Sequence, residues 1–255
     1  MTAALRADPE LVGPPRLYRD RVAQLHLCPA AHTPDVEADF AHALGFYTIL
    51  SVIPAIVLAA GKSTRMGRLK ATLPLDRGDT FLTRIVRTFR HASVEEVIVV
   101  VGHRADEIIA SFADADVPAR FVENPHYEQG QLSSLVVGLQ VVDRPGVLAA
   151  LVTLVDVPLV GAATVRAVVA RYRETRAPVV RPVRGEQHGH PVLIDRSLFE
   201  AIRRADPAVG AKPIIRANVS ASGDVVVDDD GAFADFDTPD DYNKLPRSTT
   251  MPTEK

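Results

Sequence analysis

The chain has 255 residues, 47% hydrophobic and 24% charged, with 29 basic against 32 acidic side chains. This composition excludes disordered, collagen-like and disulfide-stapled chains, and a formal net charge of −3 leaves no electrostatic footprint for nucleic acid. The single cysteine, Cys28, cannot form an internal disulfide, and no Cys/His group has zinc-ligand spacing; a reducing, cytoplasmic setting is expected.

Residues 1–52 carry scattered prolines (Pro9, Pro14, Pro15, Pro29, Pro34) and no clear period. They read as an extension with a short helix at 36–50 and no assigned chemistry. The basic-then-apolar order of a secretory signal is missing. No formal charge stands between Asp39 and Lys62, and Ala43 to Ala60 is long enough to span a bilayer. Pro54 and the β-branched Ile53, Ile56 and Val57 argue against a helix there, so no membrane association is expected.

From Pro54 onward, short apolar runs alternate with amphipathic stretches, the pattern of βαβ units around a mostly parallel sheet. Strands are expected at 55–59, 97–101, 119–122, 148–155, 179–183, 191–194 and near 225–227. Runs such as VIVVV and LAALVTLV are apolar throughout, as strands covered on both faces require. The spacing of Phe81, Leu82, Ile85, Val86 and Phe89 predicts a helix over 80–90; others are expected at 105–112, 134–142, 163–174 and 197–204. Thr238-Pro239, a capping residue followed by proline at the first helical position, opens a last short helix. The expectation is one α/β domain over 53–246, followed by a polar tail at 247–255.

The segment LAAGKSTRMGRLK, Leu58 to Lys70, directly follows the first strand of that domain. Small residues at Ala59, Ala60 and Gly61 let the backbone approach a ligand, and successive amides in such a turn form an anion nest. Lys62, Arg65, Arg68 and Lys70 gather positive charge in a chain that is acidic overall. Strand, glycine loop and cations together suit a triphosphate. The tetrapeptide GKST suggests a P-loop, but that signature needs a glycine five positions before Gly61, where Ile56 stands. Met66-Gly67 and Leu73-Pro74 also interrupt the helix that should follow.

LAAGxSxRMGxxK followed by Leu-Pro resembles the opening of the MobA-like nucleotidyltransferases, which include the molybdenum-cofactor cytidylyl- and guanylyltransferases. The resemblance continues through NPHYEQGQLSSLVVGL (Asn124–Leu139), LVDVPLV (Leu154–Val160, with Val155 where glycine or cysteine is often found), HGHPVLI, the stretch from Asp206 to Arg216, and DFDTPDDY. It runs from about Pro54 to Tyr242. It implies a Rossmann-like, three-layer α/β/α nucleotidyltransferase fold of the GT-A type with a predominantly parallel mixed sheet. The implied reaction is Mg²⁺-dependent transfer of a nucleoside monophosphate to a phosphorylated acceptor, with release of pyrophosphate. Among acceptors, molybdopterin is implied first, with sugar or alcohol phosphates as the alternative. Guanine-using relatives tend to carry Leu-Ala-Gly-Gly where this chain has Leu-Ala-Ala-Gly, which favours CTP.

By the same resemblance, Leu58, Ala59, Ala60, Gly61 and Lys62 cradle the nucleotide, and Arg65 and Lys70 contact its triphosphate. Asp156 and Asp237 hold the metal, which makes Arg65, Lys70 and Asp156 the catalytic set. Ser134 meets the base or ribose, and His190 and Lys212 meet the acceptor phosphate. Read without the resemblance, Ser133 and Ser134 are helix caps, Asp156 is a solvated turn aspartate before Pro158, Asp237 assists capping of the helix at Thr238-Pro239, and Asp228–Asp230 is a solvated charge run. Alternation puts Asp235 and Asp237 on one face if the strand is extended. His188 and His190, at i, i+2 with no adjacent carboxylate or cysteine, have poor metal spacing, and His103 reads as a turn residue after its strand. A non-catalytic nucleotide-binding protein is the contrasting class; the retention of Asp156, Asp237, Arg65 and Lys70 argues against it.

Overall fold

The computed structural model of the chain describes residues 52–76 and 78–245. The expected extension, its helix at 36–50, Cys28 and the tail at 247–255 lie outside the described residues. The strands are β1 (Ala55–Leu58), β2 (Val97–Val101), β3 (Arg120–Glu123), β4 (Ala149–Leu154), β5 (Val179–Arg184), β6 (Gln187–His188), β7 (Val192–Asp195) and β8 (Asp224–Val226). The helices are α1 (Phe81–His91), α2 (Ala105–Phe112), α3 (Gln131–Val142), α4 (Ala162–Thr175), α5 (Phe199–Arg203), α6 (Lys212–Asn218) and α7 (Pro239–Asn243).

One sheet runs in the order β3-β2-β1-β4-β7-β5-β6, with β8 beside β5. β1 pairs in parallel with both β2 and β4, and β2 with β3. β7 is antiparallel to β4 and to β5, so the sheet is mixed and mostly parallel. Alternate strand residues feed two cores. Ala55, Val57, Val99 and Leu151 pack with α1, α2 and α4 on one face. Ile56, Ile98, Val100 and Ala150 pack with α3 and α5 on the other. Covering both faces is what demands apolar residues at consecutive strand positions. The segment Ala55–Leu58, weighed above as the end of a membrane span, is a fully buried central strand. Among the described residues no helix is long and apolar enough to cross a membrane.

Because β2 and β4 flank β1 on opposite sides, the chain reverses direction of growth at β1, and a crevice opens at the carboxyl ends of β1 and β4. Open α/β sheets bind ligands at such a switch point. The glycine loop leaves β1 into this crevice, and Asp156 stands just beyond β4.

Two local expectations need correction. The third helix begins at Gln131 with Gly130 as its N-cap, φ 100°, and Ser133 and Ser134 lie inside it. Ser133 Oγ bonds back to Gly130 O at 2.8 Å, and Asn124 Nδ2 donates to Ser134 Oγ at 2.9 Å. Glycine supplies the left-handed turn that serine does not. The helix α6 was not foreseen: Lys212-Pro213 opens it, but it is short, buries no residue fully and has no helical apolar stripe long enough to read.

Candidate active site

Lys70 is the organising side chain. The 3-10 turn Lys70–Thr72 places it under the glycine loop, with its side chain only 9% exposed. Its ammonium lies 3.0 Å from Asp156 Oδ2 and 2.6 Å from Asp237 Oδ1. Arg65 Nη1 reaches the other oxygen of Asp237 at 2.9 Å. The Lys70 hydrogen bond, with help from Arg65, holds the Asp237 carboxyl below the usual carboxylate range, against the opposing effect of partial burial. Phe236 N donates to Asp156 O at 2.9 Å, which joins the two acidic segments directly.

These groups line a cavity of about 480 Å³ with Leu58, Ala60, Gly61, Ser134, Tyr127 and Asp235. Asp235 and Asp237 do face one space, as alternation predicts. Ala59 is buried beneath the loop. Lys62 turns outward to Glu128 at 2.6 Å and is not among the residues lining the cavity; Arg68 is exposed and does not line it either. Ser63 holds φ 51°, a left-handed conformation that is uncommon for serine. Its carbonyl accepts from Met66 N and Gly67 N, and its Oγ from Lys70 N at 3.3 Å. The loop is thus built to hold Lys70, and it continues into a turn where a P-loop would start a helix.

Sequence reasoning missed Tyr127, which lines the cavity together with Gln131. The signal for Tyr127 was Gly102: a Cβ there would lie 2.7 Å from Tyr127 Cβ, so only glycine lets the ring lie against the end of β2. His103 is a turn residue as expected, and its Nδ1 approaches Tyr127 Oη at 3.4 Å.

A second cavity, about 990 Å³, shares Leu58, Gln131 and Leu154 with the first. Its floor is apolar, including Leu132, Leu135 and Val192; exposed His188, Lys212 and Arg216 line its rim, and the partly buried His190 and Arg181 also line it. His190 and Lys212 therefore line the same cavity, outside the one lined by the carboxylate pair. Arg181 and Arg216 were not singled out from the sequence; Arg181 is held by Asp224 at 2.9 Å. Desolvation lowers the His190 pKa below the ordinary histidine value, opposed by its contact with Val152 O and by the charges of Asp156 and Asp235.

The carboxylates fit a hard cation. Asp156 Oδ1 is buried with no hydrogen-bond partner, a costly arrangement for an acceptor and a natural one for a metal ligand. Among the described residues no group of three or more His, Cys, Asp or Glu is arranged to hold a metal. A two-carboxylate donor set suits an ion of the Mg²⁺ kind, which takes one or two protein carboxylates and completes its shell with phosphate and water.

The profile of the MobA-like NTP transferase domain matches residues 55–222. This chain belongs to the MobA-like NTP transferase family. It is a nucleotidyltransferase by that membership, and its relatives agree. It is 32% identical over 199 residues to the protein named "Probable molybdenum cofactor guanylyltransferase" of Mycobacterium avium, covering 76% of this chain and 94% of the relative. It is 26% identical over 194 residues to the molybdenum cofactor cytidylyltransferase of Escherichia coli, covering 76% and 95%. The solved structure of Rv0371c from Mycobacterium tuberculosis superposes with a TM-score of 0.63 at 29% identity, over 76% of this chain and 97% of that one. The same protein has been solved in complex with manganese, with a TM-score of 0.59. The MobA-like domain thus begins at β1 and includes both cavities, apart from the segment that carries Asp235 and Asp237.

Proposed function

We propose that this MobA-like enzyme transfers CMP from CTP to the phosphate of a molybdopterin acceptor and releases pyrophosphate. The observation that carries the reading is Lys70 held between Asp156 and Asp237, in a cavity that opens onto a second, basic-rimmed one. An acceptor phosphate oxygen attacks the α-phosphorus; one P–O bond forms as the bond to the oxygen bridging toward the β-phosphorus breaks, and pyrophosphate leaves with that oxygen. The attacking group is already anionic, so the protein must supply charge neutralisation and in-line placement. Arg65 and Lys70 provide cations for the triphosphate, and the backbone of 60–62 provides amides. Asp156 and Asp237 hold a divalent ion, Mg²⁺ in this reading, which when bound adds charge neutralisation on the triphosphate oxygens. The mycobacterial relative has been solved in complex with manganese, which supports a divalent ion in this reading. His190 and Lys212 meet the acceptor phosphate, and the apolar floor of the second cavity takes the body of the acceptor.

The choice of CTP rests on Ala60, a buried residue lining the nucleotide cavity where guanine-using relatives tend to carry glycine. GTP is the second reading, favoured by the name of the 32%-identical mycobacterial relative. Thermal melting with CTP, GTP, UTP and ATP, with and without Mg²⁺, separates the two. Ligand at a hundredfold over its Kd adds about 2.7 kcal/mol, a shift of several degrees for a domain of this size. A Mg²⁺-dependent shift confined to CTP is expected, followed by pyrophosphate release on adding molybdopterin. A GTP-selective shift replaces the base; no shift with any nucleotide overturns the assignment of the cavity.

A further inference from the structure

The two carboxylates of the site come from separate stretches of chain: Asp156 from the turn between β4 and α4, Asp237 from the segment between β8 and α7. Asp229 ties those stretches together. Its Oδ2 accepts a hydrogen bond from Gly161 N, the N-cap residue of α4, at 2.9 Å, and another from the buried hydroxyl of Thr164. Its Oδ1 accepts from Gly231 N at 3.1 Å, at the start of the segment that runs on to Asp235 and Asp237. The two segments lie flush here. A Cβ on Gly231 would lie 2.0 Å from Leu159 O, and one on Gly161 would lie 3.2 Å from Asp229 Oδ2.

The neighbours differ. Asp228 and Asp230 are exposed, while Asp229 is partly buried, so the expectation of a uniformly solvated aspartate run fails at its middle member. An anionic group at a helix N-terminus is favoured both by the free amides and by the helix dipole. In Asp229 that favourable contact comes from a different part of the chain, so it acts as a cross-link.

We infer that Asp229 is a positioning residue, which sets the separation of Asp156 and Asp237 by fastening the α4 N-terminus to the segment carrying Asp237. The inference rests on the reading of that pair as the divalent-ion site. Residues that hold ligands in place typically govern metal affinity by about 10- to 100-fold.

The test is Mn²⁺ binding to the full chain, followed by electron paramagnetic resonance, for wild type, Asp229→Ala, Asp229→Asn, Asp230→Ala and Asp156→Ala. Asp229→Ala is expected to weaken Mn²⁺ binding about tenfold or more and to broaden the bound-ion spectrum. Asp229→Asn, which keeps one acceptor oxygen, is expected to fall between it and wild type. Asp230→Ala, which loses only a surface pair with Arg184, is expected to match wild type. If Asp229→Ala does not fold, Asp229→Asn and Thr164→Val carry the test, each removing part of the cross-link. Wild-type Mn²⁺ affinity and spectrum in the folded Asp229 variants, with Asp156→Ala impaired, overturns the positioning role alone. Wild-type binding in Asp156→Ala overturns the metal-site reading and this inference with it.

Discussion

Lys70 and Asp237, 167 positions apart in sequence, meet at 2.6 Å. The same ammonium holds Asp156 at 3.0 Å, so one cation bridges two carboxylates that line the same cavity. Burying a charged group is costly unless it is paired and hydrogen-bonded, as this one is. The arrangement keeps a cation, oriented by the Ser63 turn, at the place proposed above for the triphosphate.

Replacement of Lys70 by methionine is expected to lower kcat by at least about a hundredfold, the scale found on removing one group that stabilises developing charge. Lys70→Arg is expected to recover only part of this, because a planar guanidinium does not fit a site shaped around a point charge. Steady-state pyrophosphate release checks both, with circular dichroism to confirm the fold. A methionine variant retaining more than a tenth of wild-type kcat would contradict the role given to Lys70.

The depressed pKa of Asp237 carries a pH signature. A carboxyl held below its ordinary value, mainly by the Lys70 hydrogen bond, favours the folded state when ionised. That contribution is fully present above the unfolded carboxylate value of about 3.9 and is lost as pH falls below it through the folded value. Urea unfolding between pH 6 and pH 3 should therefore show a steeper loss of stability in wild type than in Asp237→Asn. Parallel curves would remove Asp237 from the acid response.

Much of this architecture was legible because strands covered on both faces must be apolar at consecutive positions. β2 occupies the residues of VIVVV, and β1 and β4 fall within the expected runs. The antiparallel strand β7 between β4 and β5 carries no local signal of its direction, since pairing is decided by tertiary contacts. The carboxylate pair could be named from sequence order, but not its bridging by Lys70, which depends on side chains brought together from three distant stretches. Asp229 was misread for the same reason: its partners Gly161 and Thr164 are remote in sequence. Gly102 shows the opposite case, where one small residue at a strand end records the close approach of Tyr127.

Thr153, the last residue but one of β4, is fully buried, and its hydroxyl has no hydrogen-bond partner among the described residues. Leaving such a group unsatisfied costs about 1–3 kcal/mol. Valine has nearly the same shape and no hydroxyl, so Thr153→Val is expected to raise stability by about 1 kcal/mol and Tm by roughly 2–4 °C. A fall in Tm, measured by differential scanning calorimetry, would show that the hydroxyl has a partner in solution.

Gly138 links packing to the cavity proposed to hold the nucleotide. It lies on the face of α3 against the sheet, where a Cβ would come within 2.6 Å of Ile56 Cγ2 and 3.3 Å of Val100 Cγ2. Ile56 is fully buried in β1 and has no room to retreat, so Gly138→Ala must push α3 away from the strands. Overpacking of this kind costs about 1–3 kcal/mol, of which helix propensity returns at most about 1. Because Gln131 and Ser134 of α3 line the cavity, the displacement should also weaken nucleotide binding. Melting curves with and without nucleotide measure both effects: a lower Tm and a smaller nucleotide-induced shift are expected. An unchanged Tm would mean that the sheet yields at Ile56, and that the glycine is not what sets the distance between α3 and the loop after β1.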